Sequence, residues 1–187
     1  MLRGALLLIA LPMAAGCVTA VGAVAKPTAL EFQLLGAYEE LDRDLMHASS
    51  LRAPSTPAAA FEKLRMEALE ARGLQRFNED DLIELKNASC LAEGLGARVV
   101  ARPCALMDQD PAAKRRLSRV VKEENRSRQV ILTWAAFELA RKGGRAEPTP
   151  AEMREIEHAY ERLLRDTAAP EHLIEVKQGA FKKKSEL

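Results

Sequence analysis

Aromatic residues are scarce in this chain, one Trp, two Tyr and five Phe among 187 residues. With long alternating strand patterns also missing, that scarcity speaks against a cavity-forming carrier of apolar ligands. No sign of charge dominates: 28 Lys and Arg stand against 27 Asp and Glu. A nucleic-acid partner has no electrostatic support, because it calls for a basic face or stripe. Histidine occurs three times, in dissimilar surroundings. There is no Gly-x-Ser-x-Gly elbow, phosphate-cradling glycine loop or His-Glu-x-x-His pair, so no pattern argues for catalysis or a cofactor. Glu155 and His158 are spaced as in a di-iron Glu-x-x-His element, but neither His47 nor His172 has a glutamate three residues before it. The pair therefore reads as a solvated helix face and not as a metal site. No internal repeat or low-complexity tract is present.

The apolar h-region at residues 5–11 is far shorter than the roughly 20 residues that a membrane span needs. The short run from Ala5 to Leu11, preceded by Arg3 and followed by Ala14, Ala15, Gly16 and Cys17, has the layout of a signal peptide. Its end, LPMAAGC, resembles the bacterial lipobox. That resemblance implies cleavage after Gly16, acylation of Cys17 and a permanent lipid anchor, since two or more acyl chains hold a protein at a bilayer where one does not. Val18 in place of Asp after the cysteine favours the outer membrane by the same analogy. Residues 1–16 are then the signal peptide, 17–26 a tether and 27–187 one domain. Of the two other cysteines, Cys90 and Cys104 are expected to pair in an oxidising envelope compartment. Their spacing is too wide for a Cys-x-x-Cys redox motif, and no histidine lies between them.

The domain reads as mainly helical with a minor sheet, an α+β fold of about five helices. Thr28 can cap a first helix that buries Leu30, Leu34, Tyr38, Leu41 and Leu45 and presents Glu39, Glu40 and Asp42 on its other face. Residues 49 to 57 form a loop by composition. Thr56 and Pro57 open a second helix running to about Gln75. Asn78, with Glu79, Asp80 and Asp81 behind it, reads as the cap of a third helix that ends near Cys90. Val99 and Val100 suggest a short hairpin near residues 97–103. Asp110 and Pro111 open the longest helix, which the Gly143-Gly144 pair stops. Thr149, Pro150 and Glu152 form the capping box of a last helix that buries Met153, Ile156, Tyr160, Leu163 and Leu164. A terminal hairpin near residues 172–183, turning at Gln178-Gly179, could join the Val99 strand in one small sheet. Lys182, Lys183 and Lys184 beside Phe181 could touch anionic headgroups or belong to a solvated tail.

The longest helix is apolar at both ends, yet KEENRSRQ at 122 to 129 has no hydrophobic residue in two turns. The helix must project there or cross a polar seam, and Glu124 and Arg128 are placed to pair. VVKEENRSR at 120 to 128, the helix opened by Thr149, the break at Pro170, and the extended end with Gly179, Phe181 and lysines together resemble the YdbL-like family of bacterial envelope proteins, a domain of unknown function. TALEFQLLGAYEELDRDL at 28 to 45 is similar to the N-terminal part of its longer lipoprotein members. The chain departs from the family at Glu171, His172 and Leu173, where members often carry a glycine and an aromatic. The resemblance implies a non-enzymatic accessory associated with a small lipoprotein and a large AsmA-like protein that bridges the two membranes for phospholipid movement. It points to Glu124, Asn125 and Arg128 as residues that could hold a partner strand or helix through directed hydrogen bonds. The expected function is thus a lipid-anchored interaction protein of the outer membrane. A periplasmic lipid-binding carrier and a metal- or thiol-dependent envelope enzyme are the alternatives.

Overall fold

The structure is a computed structural model that describes residues 26–48, 60–109 and 111–187. The signal peptide, Cys17, almost all of the tether, the 49–57 loop, the Thr56-Pro57 helix start and Asp110 lie outside the described residues. Those residues hold six α-helices and a four-stranded sheet: α1 Ala29–Ala48, α2 Ala60–Phe77, α3 Glu79–Asn87, β1 Leu91–Glu93, β2 Val99–Ala101, α4 Ala105–Gln109, α5 Pro111–Lys142, α6 Pro150–Thr167, β3 Leu173–Lys177 and β4 Ala180–Lys183. The α+β expectation and the single long helix are both observed. The short α4, directly after Cys104, is an addition to them. No helix among the described residues is long and apolar enough to cross a membrane.

Two helices start on reciprocal caps. The Thr28 N–H donates to Glu31 Oε2 at 2.7 Å, and the Glu31 N–H returns to Thr28 Oγ1 at 3.3 Å. Thr149 and Glu152 do the same at 2.8 and 3.3 Å, so two N–H groups at each helix start are served. Asn78 behaves otherwise. Its backbone stays near the helical region, at φ −91° and ψ 2°. Its N–H donates to the Leu74 carbonyl, and its own carbonyl accepts from Leu82. The chain thus passes almost continuously from α2 to α3, and the Asn78 side chain makes no cap bond. It donates instead to Glu123 Oε2 at 2.8 Å.

The helices α1, α2, α5 and α6 enclose the larger core, built on Leu34, Leu41, Ile131, Trp134, Ile156 and Tyr160. Phe61 at the start of α2 lies against Arg141 near the end of α5, whereas Gln75 near the end of α2 reaches Glu124. The two helices are therefore antiparallel. A smaller core of Leu85, Cys90, Leu91, Val99, Leu117 and Val120 joins α3, the first hairpin and the first half of α5.

The sheet has strand order β2-β1-β3-β4. The Val99 strand pairs antiparallel with β1, a strand that the sequence pattern did not single out. The terminal hairpin joins through β1, which runs parallel to β3, and not through the Val99 strand itself. Gly179, at φ 75°, makes the expected terminal turn. The lysine-rich end is a strand, with Phe181 under the Arg102 guanidinium at 4.4 Å and Lys184 paired to Asp166 at 3.7 Å.

The disulfide between Cys90 and Cys104 is formed and fastens the end of α3 to the exit of the β1–β2 hairpin. Closing a loop of 14 residues contributes on the order of 3 kcal/mol by restricting the unfolded chain. Replacing both cysteines with alanine is expected to lower the unfolding free energy from urea titration by about that much, and reductant should bring the wild-type midpoint down to the variant's and leave the variant's unchanged.

Candidate functional site

The polar turns of α5 continue its buried face. Val120, Glu124, Ser127, Arg128 and Ile131 recur at helical spacing and are all buried, so this helix crosses a polar seam between the two cores. A buried arginine must find acceptors for its fork of donors and a countercharge for its cation. Arg128, 2% exposed, donates from Nε to Glu124 Oε1 at 2.6 Å and from Nη1 to Glu93 Oε2 at 2.7 Å. It also donates from Nη2 to Glu93 Oε1 at 3.2 Å and from Nη1 to the Ala97 carbonyl at 3.2 Å. The pairing with Glu93 is bidentate, the strong geometry for an arginine and a carboxylate.

From that centre the network reaches into neighbouring elements. Lys86 of α3 donates to Glu93. Gln75 of α2 donates to Glu124 Oε1 at 3.1 Å and accepts from Arg72 at 3.2 Å. Arg72 holds Asp42 of α1 with two bonds of 2.7 and 2.9 Å. A second contact path runs alongside. The rings of Tyr38 and Tyr160 stack at 5.4 Å with 9° between their planes, and the Arg72 and Arg128 guanidiniums lie over them at 5.1 and 5.9 Å. Cation, two rings and cation thus link α1, α2, α5 and α6. Burial pushes both phenols up and keeps them neutral.

Asn125 plays a separate part. The Val99 N–H donates to its Oδ1 at 2.8 Å, and its Nδ2 donates to the Val99 carbonyl at 3.0 Å. One side-chain amide thereby stands in for a neighbouring strand at the open edge of β2. The β1–β2 turn is fixed as well. The Leu95 N–H donates to Glu175 at 3.1 Å, the Gly96 N–H to Glu161 at 2.9 Å, and Arg128 takes the Ala97 carbonyl. Gly96 and Ala97 are both left-handed, at φ 66° and 57°. A Cβ on Gly94 would stand 2.5 Å from a Val100 methyl, so only glycine fits at that point.

Burial opposes ionisation of Glu93, but the Arg128 charge and hydrogen bonds, reinforced by Lys86, outweigh it and hold the carboxyl at about 2. Burial likewise disfavours the Arg128 cation, and Glu93 more than restores it, leaving that group charged at any ordinary pH.

Glu124 and Arg128 pair with each other, Asn125 is engaged separately on Val99, and all three are thus bound to the chain's own groups. Glu93 is the central residue that sequence reasoning missed. Its signal was a lone carboxylate in the otherwise small and apolar stretch CLAEGLGA. Glu155 and His158 are exposed, and no group of three or more His, Cys, Asp or Glu converges for a metal among the described residues.

No family model, curated protein or solved structure matches this chain.

Truncating Arg128 to methionine strips buried Glu124 of its countercharge and leaves Glu93 with Lys86 alone, and is expected to destabilise the fold by about 3–5 kcal/mol. Adding Glu93→Leu and Glu124→Leu should recover most of that loss in urea titrations. The Glu93 carboxyl moves from an ordinary value of 4.5 down to about 2 on folding, so its contribution is present above pH 4.5 and disappears as pH falls through 2. Between pH 5 and 2 the wild type should lose on the order of 3 kcal/mol through this group. Glu93→Gln should start less stable and show a flatter acid limb when unfolding is followed at each pH.

Proposed function

We propose that this chain is a lipoprotein of the bacterial outer membrane, anchored through Cys17, that serves as a non-enzymatic accessory to an envelope assembly. The observation that carries the reading is the Cys90–Cys104 disulfide within the smaller core. Such bonds persist in oxidising compartments and are rare in reducing ones. The leader and lipobox-like end at residues 1–17 address the chain to an oxidising compartment as well, and they do so by independent residues.

The resemblance of residues 120–183 to the YdbL-like family supports the accessory role, with an AsmA-like protein or a small lipoprotein as partner and phospholipid movement as the process assisted. The arrangement of α5 changes where partner contact belongs on this reading. Glu124, Asn125 and Arg128 serve it as the frame that sets the hairpin and helices in place, and the partner meets the surfaces so positioned.

Cys17→Ala is expected to move the protein from the membrane pellet to the soluble periplasmic fraction, and mass analysis of the native product should show an acylated N-terminus at residue 17. An unacylated N-terminus at another position would overturn the anchor. Recovery of the tagged protein alone after mild crosslinking in intact cells would overturn the accessory role.

A further inference from the structure

Three arginines from three different elements line one cleft beside the buried network. Arg98 comes from the β1–β2 turn, Arg126 from α5 and Arg154 from α6, around a cleft of about 540 Å3. All three are exposed. None is assigned an ion pair or side-chain hydrogen bond among the described residues, although arginines 72, 116, 128, 145 and 162 each hold a carboxylate. The lining adds Leu132, Met153 and Ala97 as apolar surface and Gln129 and Thr133 as hydrogen-bonding groups. Its one carboxylate is Glu157, beside Gly96, so the positive charges outnumber the negative.

The groove on the other side of α5 makes the contrast. There Arg115, Arg119, Lys122 and Arg126, which lines both clefts, face Glu67, Glu70 and Glu123, so carboxylates offset all but one of the positive charges, whereas Glu157 stands alone against three arginines in the first cleft. Like charges gathered from a turn and two helices repel one another unless an anion is shared between them. A single carboxylate is satisfied by one guanidinium fork, whereas a tetrahedral group with several charged oxygens can take forks from several directions. The volume exceeds a bare anion and falls in the range of small-molecule sites. Leu132 and Met153 offer the remainder an apolar wall.

We propose that this cleft binds a phosphate ester, with the phosphate held between Arg98, Arg126 and Arg154 and the organic part against Leu132 and Met153. The proposal stands on the cleft alone and does not need the lipid anchor. The chain carrying Cys17→Ser separates the two. It can be titrated calorimetrically with glycerol phosphate, and floated with vesicles of phosphatidylglycerol or of phosphatidylcholine.

Saturable binding of glycerol phosphate would assign a soluble ester. Flotation with phosphatidylglycerol vesicles alone would assign a lipid headgroup. Either result upholds the phosphate chemistry provided that Arg98→Gln, Arg126→Gln and Arg154→Gln combined weaken it by about tenfold or more, while Arg115→Gln with Lys122→Gln does not. All five side chains are exposed, so both variants should keep the wild-type thermal midpoint, which separates lost binding from lost folding. Equal weakening by both variants would reduce the effect to diffuse charge and overturn the site. Absence of binding to every probe would overturn it too.

Discussion

A guanidinium in a protein interior has to be neutralised where it lies, and much of this molecule is arranged around that requirement at Arg128. Glu124 supplies one countercharge from the same helix and Glu93 the other from β1. Taking such a group out of water costs several kcal/mol per ion, so the completed pair contributes little net stability over well-packed apolar residues. Its effect lies in the penalty for any other arrangement. A rotation of α5 or a slip of β1 would leave a buried charge alone, and the smaller core would lose its alignment with the larger one. The seam is thus a gauge of correct assembly, and the disulfide holds β1 and β2 close enough for it to be satisfied.

The two cores differ in how they are secured. The larger one relies on apolar faces at helical spacing, and Tyr38, Tyr160 and their cations close it toward the seam. The smaller one is made from three-residue strands and a nine-residue helix, elements too short to be stable by local propensity. It therefore depends on side chains that imitate backbone partners: Asn125 along the edge of β2, and Glu161 and Glu175 on the turn. Those contacts also fix where Arg98 projects, which connects the interior geometry to the charge presented outside.

What could be read from the residues was whatever is encoded locally. Thr149-Pro150-Glu152 and Thr28 marked helix starts because capping is a contact within four residues, and the apolar spacing of α1 and α6 named most of their buried positions. The absence of hydrophobic residues at 122 to 129 left a projecting, solvated midsection and a polar seam both open, and the burial of Glu124, Ser127 and Arg128 decides for the seam. Partners of the seam were beyond such reading. Glu93 lies 35 residues from Arg128, and Asp42 is 30 from Arg72, distances at which no periodicity connects two charges. Asn78 failed as a cap because a cap residue leaves the helical region and this one does not. β1 went unseen because Leu91, Ala92 and Glu93 are too few to show an alternation. The cleft was hidden for a similar reason: Arg98, Arg126 and Arg154 look like ordinary surface charges until the turn and two helices meet.

The parallel pairing of β1 with β3 bears on the order in which the chain can acquire its structure. β1 emerges early in synthesis, but the strand beside it arrives about 80 residues later, the separation bridged by the Leu95–Glu175 bond. Closing so long a loop is entropically expensive and must precede the contacts that reward it. Until β3 is delivered, the hairpin has a bare edge of unpaired N–H and C=O groups on its β1 side, opposite the edge that Asn125 covers. Completion of the sheet therefore waits on β3, and a nascent chain lacking that strand presents a sticky ribbon to its surroundings.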